Sequence, residues 1–197
     1  MNKTIYLVRH GEIEWNKEKA YIGQIDLPLS EQGKIQAAKR REFFAEINLD
    51  RAYTSPLKRC VTTLDSILEN RPVPRETITE LQEISMGDWE GQTFKSIKSK
   101  FPGDYEKRGQ EIASFAPPSG ESFLDLQQRV MPAFKKIAEK EEEHQMIILA
   151  HAGVIRVILT SILGLPLNHI FNWPIDYAGI YQLCYDQDQE KWMCKNR

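Results

Sequence analysis

The sequence has few of the features that mark membrane, secreted or nucleic-acid-binding proteins. No apolar run approaches the ~18–20 residues that span a bilayer, and the first residues form no signal-peptide segment, so we expect a cytoplasmic protein without a membrane partner. The 26 Lys and Arg against 28 Asp and Glu give a net charge of -2, which predicts no nucleic-acid partner. The three cysteines are odd in number and widely spread, which favours reduced thiols over a disulfide framework or a zinc knuckle.

Two common phosphate-binding signatures of α/β proteins are missing as well. The first apolar segment is followed neither by a dinucleotide glycine fingerprint nor by a Gly-Lys-Ser/Thr loop, which disfavours a nucleotide-binding fold. We find no internal repeat and no low-complexity segment. A chain of 197 residues is the usual size of one domain, so we expect residues 1–197 to form a single domain.

The apolar pattern alternates between strand-like runs and helix-like spacing. Two continuous apolar runs, 5–8 and 146–150, are typical of buried central strands. Ser30 is the expected N-cap of a helix reaching about Ile47, and Ser55-Pro56 is expected to be the cap and first-turn proline of the next helix. Further strands are expected at 51–54, 179–185 and 191–194, and further helices at about 123–137 and 154–163. This order predicts an α/β fold, a three-layer α/β/α sandwich around a mostly parallel sheet.

The segment 84–120 is the least regular part of the chain. Glycines and a Pro-Pro pair punctuate it, which is typical of loops. We interpret it as a short lid insertion over a pocket, with short helices around 94–100 and 105–112. Its aromatic side chains are the expected contacts of a leaving group: Trp89, Phe94, Tyr105 and Phe115.

Chemically competent residues follow the first apolar run directly. Arg9, His10 and Gly11 stand where the predicted strand ends, and open α/β sheets bind ligands beyond the carboxyl ends of their strands. The arginine fork suits phosphate. A neutral imidazole, whose reference pKa is about 6.5, can act as a nucleophile at neutral pH.

The second apolar run ends in the same way, in His151-Ala152-Gly153. Arg59 lies in the first turn of a predicted helix, whose N-terminus attracts anions. Taken singly, each of these residues is also compatible with a purely structural role. Because parallel strands end at one edge of a sheet, their joint placement favours a site in which two arginines and two imidazoles surround a dianion.

These residues belong to a set of motifs that resembles the histidine phosphatase superfamily, which includes the cofactor-dependent phosphoglycerate mutases. The resemblance covers nearly the whole chain, in the order of the family. The motifs are Leu7-Val8-Arg9-His10-Gly11-Glu12, Ser55-Pro56-Leu57-Lys58-Arg59-Cys60 with Thr63, Leu81-Gln82-Glu83 with Gly87-Asp88-Trp89-Glu90-Gly91, Gly120-Glu121-Ser122, and His151-Ala152-Gly153-Val154-Ile155-Arg156.

The resemblance implies a role for each residue, in a reaction without a metal or a cofactor. His10 is the implied nucleophile, which becomes a phosphohistidine, and Glu83 is the implied proton donor to the leaving group. The implied phosphoryl-binding residues are Arg9, Arg59 and His151, with further phosphate contacts from Asn16 and from the backbone near Gly23 and Gln24. Ile13 departs from the family, which often has Thr or Ser there, so one hydroxyl near the phosphate is missing.

The short span from Glu83 to Glu121 implies a small lid and a site open to water, which favours hydrolysis over phosphoryl transfer to a second acceptor. The motifs look most like those of the small bacterial phosphatases, among them α-ribazole phosphatases of cobalamin synthesis. The expected partner is therefore a small-molecule phosphomonoester, and the oligomeric state stays open. Two alternatives remain at this point, a cofactor-dependent phosphoglycerate mutase and a non-catalytic phosphate-binding module.

Overall fold

A six-stranded mixed sheet forms the centre of the fold in a computed structural model that describes residues 3–15 and 18–196. The strands lie in the order β3-β2-β4-β1-β5-β6. The pairs among β3, β2, β4 and β1 are parallel, whereas β5 pairs antiparallel with both β1 and β6. The strands are β1 Thr4–Arg9, β2 Arg51–Thr54, β3 Arg75–Thr77, β4 Gln145–Ala150, β5 Ile180–Asp186 and β6 Lys191–Asn196.

Helices cover both faces of this sheet. On one face, α1 and α2 pack over a core that includes Val8, Ala52 and Leu149; on the other, α5 and α6 pack over Ile5, Leu7 and Ile148. The predicted three-layer α/β/α sandwich is therefore confirmed. The helices are α1 Glu31–Phe44, α2 Lys58–Leu68, α3 Phe94–Lys100, α4 Pro102–Gln110, α5 Phe123–Ala138 and α6 Ala152–Ile162, with 3-10 turns at Thr79–Leu81, Gly87–Trp89 and Leu167–Asn172.

The two strands that carry the histidine motifs are direct neighbours. β1 and β4 run parallel with Arg9 opposite Ala150, so the residues that follow each strand leave the sheet at the same edge. The buried faces of both strands explain their continuous apolar sequence, because a central parallel strand has helices on both sides. This pairing places the chain after β1 beside the chain after β4.

Helix α1 begins where the sequence predicts. The Ser30 hydroxyl accepts a hydrogen bond from the Gly33 N–H at 3.0 Å. Gly33 packs so closely against the backbone of Glu12 that a Cβ at position 33 would overlap it. The helix ends at Phe44, not at Ile47, and Arg71 donates to the Phe44 carbonyl at 2.6 Å, which satisfies one of the last helical acceptors.

The start of α2 differs from the prediction at Ser55-Pro56. The helix begins at Lys58, and its N-cap residue Leu57 makes no side-chain capping bond. The interpretation of Ser55 as a cap is therefore wrong. Its hydroxyl accepts the Leu57 N–H at 3.4 Å, just before the helix, and lies 2.8 Å from Nε2 of His151, so this serine also contacts the site.

Two short helices occupy the segment 84–120, as predicted. α3 has the predicted bounds, whereas α4 begins at Pro102 because proline is well suited to a first helical turn. α5 starts at a capping box formed by Ser122 and Asp125 and continues through Pro132. Within the described part of the chain, every helix is too short or too polar to cross a bilayer.

Candidate active site

A cavity of ≈ 470 Å³ opens at the carboxyl ends of β1 and β4, and four of the predicted site residues line it: Arg9, His10, Arg59 and Glu83. Three aromatic side chains, Trp15, Phe94 and Tyr177, form part of its wall. A larger cavity of ≈ 950 Å³ lies against α5 and the β5–β6 pair, and none of the predicted site residues lines it. We therefore take the smaller cavity as the candidate site, since the ionisable groups converge there.

His10 is buried and held in one tautomer. Its Nδ1 lies 2.7 Å from the Gly11 carbonyl oxygen, and a carbonyl can only accept, so Nδ1 carries the proton. Burial, followed by the charges of Arg9 and Arg59, holds the pKa of His10 well below 6.5. The ring is therefore neutral at neutral pH, with its lone pair on Nε2.

His151 lies next to His10, with 5.1 Å between the two ring centroids. Its Nδ1 accepts the Nε–H of Arg59 at 3.2 Å, so its proton is on Nε2, which donates to the Ser55 hydroxyl at 2.8 Å. Burial, followed by the charge of Arg59, holds the pKa of His151 well below 6.5. Both ring nitrogens are engaged, so a direct bond to a phosphoryl group requires one of them to change partners.

Arg59 is a fully buried cation with a fixed orientation. It stands in the first turn of α2, as predicted, and is 1% exposed. Its Nη1 donates to the Ile25 carbonyl at 2.7 Å and its Nη2 to the Gly23 carbonyl at 2.6 Å. These bonds, with the bond to His151, fix the plane of the guanidinium at the wall of the cavity.

Arg9 retains an unused donor. Its guanidinium stacks 3.8 Å above the centre of the Tyr177 ring, and its Nη1 donates to the Ile175 carbonyl at 2.6 Å. Its Nε is buried and has no hydrogen-bond partner among residues 3–15 and 18–196. A buried, unpaired N–H on a cation is costly, and an anion in the cavity is the natural partner for it.

Glu83 is buried, with 8% of its surface exposed, and its carboxylate is oriented by two backbone amides. Oε1 accepts from the Ile84 N–H at 3.0 Å, and Oε2 accepts from the Gly153 N–H at 3.1 Å in the first turn of α6. A Cβ at position 153 would overlap Oε1 of Glu83. The glycine of the second histidine motif therefore makes room for the carboxylate.

The loop at Gly23 and Gln24 has a different task from the one expected of it. Its two backbone N–H groups donate to the Glu90 carboxylate, at 3.1 Å from Gly23 and 2.6 Å from Gln24. Both amides are thus already paired, and neither residue lines the cavity. The loop instead supplies the Gly23 carbonyl that holds Arg59, while Asn16, the other expected contact, lies outside the described residues.

Several residues of the site escaped the sequence analysis. Glu90 lies in the motif Gly87-Asp88-Trp89-Glu90-Gly91 and accepts three backbone N–H groups, those of Gly23, Gln24 and Met86. Tyr177 has no local sequence signal, because it reaches Arg9 only through the loop before β5. The aromatic side chains of the segment 84–120 differ in position. Phe94 lines the cavity, whereas Trp89 is buried against Tyr21 and Phe115.

The charges and side chains of this cavity are suited to binding a dianion beside the imidazole of His10. Two arginines and a neutral imidazole with a free lone pair share one cavity with a buried carboxylate. In the part of the chain that the structure describes, no group of three or more His, Cys, Asp or Glu side chains is arranged to hold a metal ion.

Known proteins share both this fold and this sequence pattern. The adenosylcobalamin/α-ribazole phosphatase of Escherichia coli is 26% identical over 172 residues, covering 87% of this chain and 85% of that protein. A 2,3-bisphosphoglycerate-dependent phosphoglycerate mutase of Bacteroides fragilis is 31% identical over 223 aligned positions, covering 96% of this chain and 90% of that protein. The structure of a mycobacterial glucosyl-3-phosphoglycerate phosphatase superimposes with a TM-score of 0.88 at 25% identity, covering 100% of this chain and 98% of that chain.

The family model of the histidine phosphatase superfamily (branch 1) matches residues 5–197, which is almost the entire sequence. The match includes both histidine motifs, the Arg59 motif and the segment that carries Glu83. On the strength of this match and of the shared fold, the chain belongs to the histidine phosphatase superfamily.

Proposed function

We propose that this enzyme hydrolyses phosphomonoesters through a phosphohistidine on His10, with Glu83 as the proton donor. The observation that carries the proposal is a neutral His10, whose Nε2 lone pair is free, in one cavity with the two arginines Arg9 and Arg59. The imidazole is a nucleophile, and the two guanidinium cations suit the charge of a phosphoryl group.

In the first step, Nε2 of His10 attacks phosphorus while the bond to the leaving oxygen breaks. Negative charge spreads over the phosphoryl oxygens, and preorganised donors stabilise such charge best. Arg9 and Arg59 supply these donors. His151, which accepts the Nε–H of Arg59, helps to keep that guanidinium oriented from behind the cavity wall.

Glu83 completes the cycle by moving a proton in each direction. It donates to the leaving oxygen in the first step and takes a proton from the attacking water in the second, when the phosphohistidine is hydrolysed. Its place in the cavity wall and its two backbone hydrogen bonds support this role, because a proton carrier needs a fixed position close to the reacting oxygen.

For the substrate we propose a small phosphomonoester with a flat leaving group, and α-ribazole 5′-phosphate as the specific candidate. Trp15, Phe94 and Tyr177 give the cavity aromatic surfaces suited to stacking. The E. coli relative, named as an adenosylcobalamin/α-ribazole phosphatase, supports the same candidate.

A phosphoglycerate mutase is the second candidate, favoured by the 31% identity to the B. fragilis enzyme. Against it stands chain length, since the 223 aligned positions exceed the 197 residues of this chain and the mutase therefore has residues that this chain lacks. We propose that residues 1–197 are a single domain in which the segment 84–120 is a small lid. Such a lid leaves water free to compete with a second phosphate acceptor.

The test is phosphate release from a panel of α-ribazole 5′-phosphate, 3-phosphoglycerate, phosphoserine and sugar phosphates, together with chemical trapping. We expect an acid-labile, base-stable phosphoenzyme that is absent in His10→Ala, and release that persists with a chelator. Isomerisation of phosphoglycerate faster than phosphate release would establish the mutase. Phosphate binding without turnover of any monoester would establish a non-catalytic module and overturn the proposal.

A further inference from the structure

Arg129, on α5, holds the backbone of the segment that carries Glu83. Its Nη1 donates to the carbonyl of Glu80 at 2.7 Å and to that of Gln82 at 3.1 Å. Its Nη2 donates to the carbonyl of Glu83 itself at 3.3 Å. One guanidinium therefore ties three carbonyls of a segment that has only a single 3-10 turn of its own, Thr79–Leu81.

Glu121 holds Arg129 from the other side. Its two carboxylate oxygens accept from Nε at 2.9 Å and from Nη2 at 2.8 Å, which is the bidentate geometry in which arginine–carboxylate pairs are strongest. Oε2 also accepts the N–H of Ser85 at 2.9 Å. The two side chains thus contact the segment on both sides of Glu83, and both are mainly buried, at 23% and 22% exposure.

We infer that Arg129 and Glu121, here called the Arg129–Glu121 clamp, are positioning residues that set where the carboxyl of Glu83 meets the leaving oxygen. The inference rests on the proposed role of Glu83 as proton donor. Neither member of the clamp lines the cavity, and its hydrogen bonds reach the site through the backbone of the segment that carries Glu83. A general acid must lie within hydrogen-bond reach of the atom it protonates, and small misplacements are costly.

Arginine is required because only a planar fork can serve these acceptors together. A lysine has one nitrogen, which cannot make the bidentate contact with Glu121 and reach three carbonyls at once. Arg129→Lys therefore keeps the charge and loosens the segment. Glu121→Gln keeps the shape but replaces one acceptor oxygen by an amide group, which meets the N–H donors unfavourably.

The experiment compares two substrates of similar size that each carry one benzene ring, the aryl ester p-nitrophenyl phosphate and the alkyl ester benzyl phosphate. p-Nitrophenolate leaves without protonation, whereas the benzyl alkoxide needs a proton donor. In Arg129→Lys and in Glu121→Gln we expect kcat/KM for benzyl phosphate, which reports formation of the phosphohistidine, to fall by about 10-fold to 100-fold, as a partial loss of the roughly 10²–10⁴-fold that general acid catalysis contributes. We expect kcat/KM for p-nitrophenyl phosphate to change less than about threefold, because nucleophilic attack by His10 is intact.

Arg71→Lys is the matched control, since Arg71 also ties two carbonyls, those of Phe44 at 2.6 Å and Ile47 at 2.5 Å, at a place remote from the cavity. It should alter stability without changing the ratio between the two substrates. If the clamp variants lose the same activity on both substrates, or lose none, the ratio between the substrates stays unchanged and the inference is overturned. Glu83→Gln distinguishes a failure of the proposed function from a failure of the inference about the clamp. If Glu83→Gln does not selectively lower activity on benzyl phosphate, the proposed role of Glu83 as proton donor is wrong, whatever the clamp variants show.

Discussion

The Nε–H of Arg59 donates to Nδ1 of His151 across 3.2 Å, so the second imidazole of the site is an acceptor toward the buried arginine. This bond fixes the proton of His151 on Nε2, and the Nε2–H donates a hydrogen bond to the Ser55 hydroxyl. It also couples the two residues, because each contributes one of the hydrogen bonds that hold the other in place. Changes to residues that act as a unit are far from additive.

Arg59→Lys is expected to lower kcat/KM for phosphate release by about 100-fold or more, since one ammonium cannot replace three directed N–H donors. Adding His151→Ala to this variant is expected to cost much less than His151→Ala costs alone. Steady-state kinetics of the two single variants and the double variant measure this coupling. The half-buried Arg41, which pairs with Glu69 and donates to the Ser66 carbonyl, provides the control as Arg41→Lys. Fully additive losses would contradict the coupled pair.

Stability is expected to fall as the pH drops below about 6.5, because folding holds the pKa of both His10 and His151 well below that value. In this range the unfolded chain binds protons that the folded state does not accept, so protons favour unfolding. Above about pH 6.5 both states leave these histidines neutral and the effect vanishes. Denaturant midpoints between about pH 7.5 and 5 test this, with the exposed His169→Asn as the control. A midpoint that stays level or rises toward pH 5 contradicts it.

Gly153→Ala is expected to reduce turnover strongly, because the added methyl would occupy the position of Oε1 of Glu83. The loss should be larger for poor leaving groups than for p-nitrophenyl phosphate, as expected for a displaced acid. Gly109→Ala in α4 is the matched control, since a Cβ there meets nothing within 4 Å. It should leave kinetics unchanged and add up to about 1 kcal/mol to the free energy of unfolding. Equal kinetics for the two variants would contradict the close packing at position 153.

Glu90→Gln is expected to lower the free energy of unfolding by about 1–3 kcal/mol, because an amide group then faces backbone donors that the carboxylate had satisfied. It should also reduce activity, since the Gly23 loop that holds Arg59 loses its anchor. Urea denaturation and kcat/KM are the two measurements. Glu106→Gln, at an exposed position on α4, serves as the control. If Glu90→Gln has the same stability to urea and the same kcat/KM as Glu106→Gln, the Glu90 carboxylate is dispensable.

The sheet and the ends of its central strands were predictable because burial on both faces leaves an unmistakable apolar run, as in 146–150. The position of Arg59 was predictable for a related reason, since helical spacing marks where α2 lies. Ser55 was not, because Ser-Pro before a helix has the same appearance whether the serine caps the helix or bonds to a histidine 96 residues away. The carboxylate of Glu90 was equally hidden, as its donors come from a loop that is distant in sequence.

The pairing of β1 with β4 has a consequence for how the enzyme is made. Thr4 of β1 lies opposite Gln145 of β4 and Cys184 of β5, so most of the polypeptide must emerge from the ribosome before the central strands can pair. A nascent chain therefore displays the first histidine motif long before its counterpart exists. Such long-range closure slows folding. The second neighbour of β1, β5, is made later still, so the strand that carries the first histidine motif is enclosed only in a nearly finished molecule.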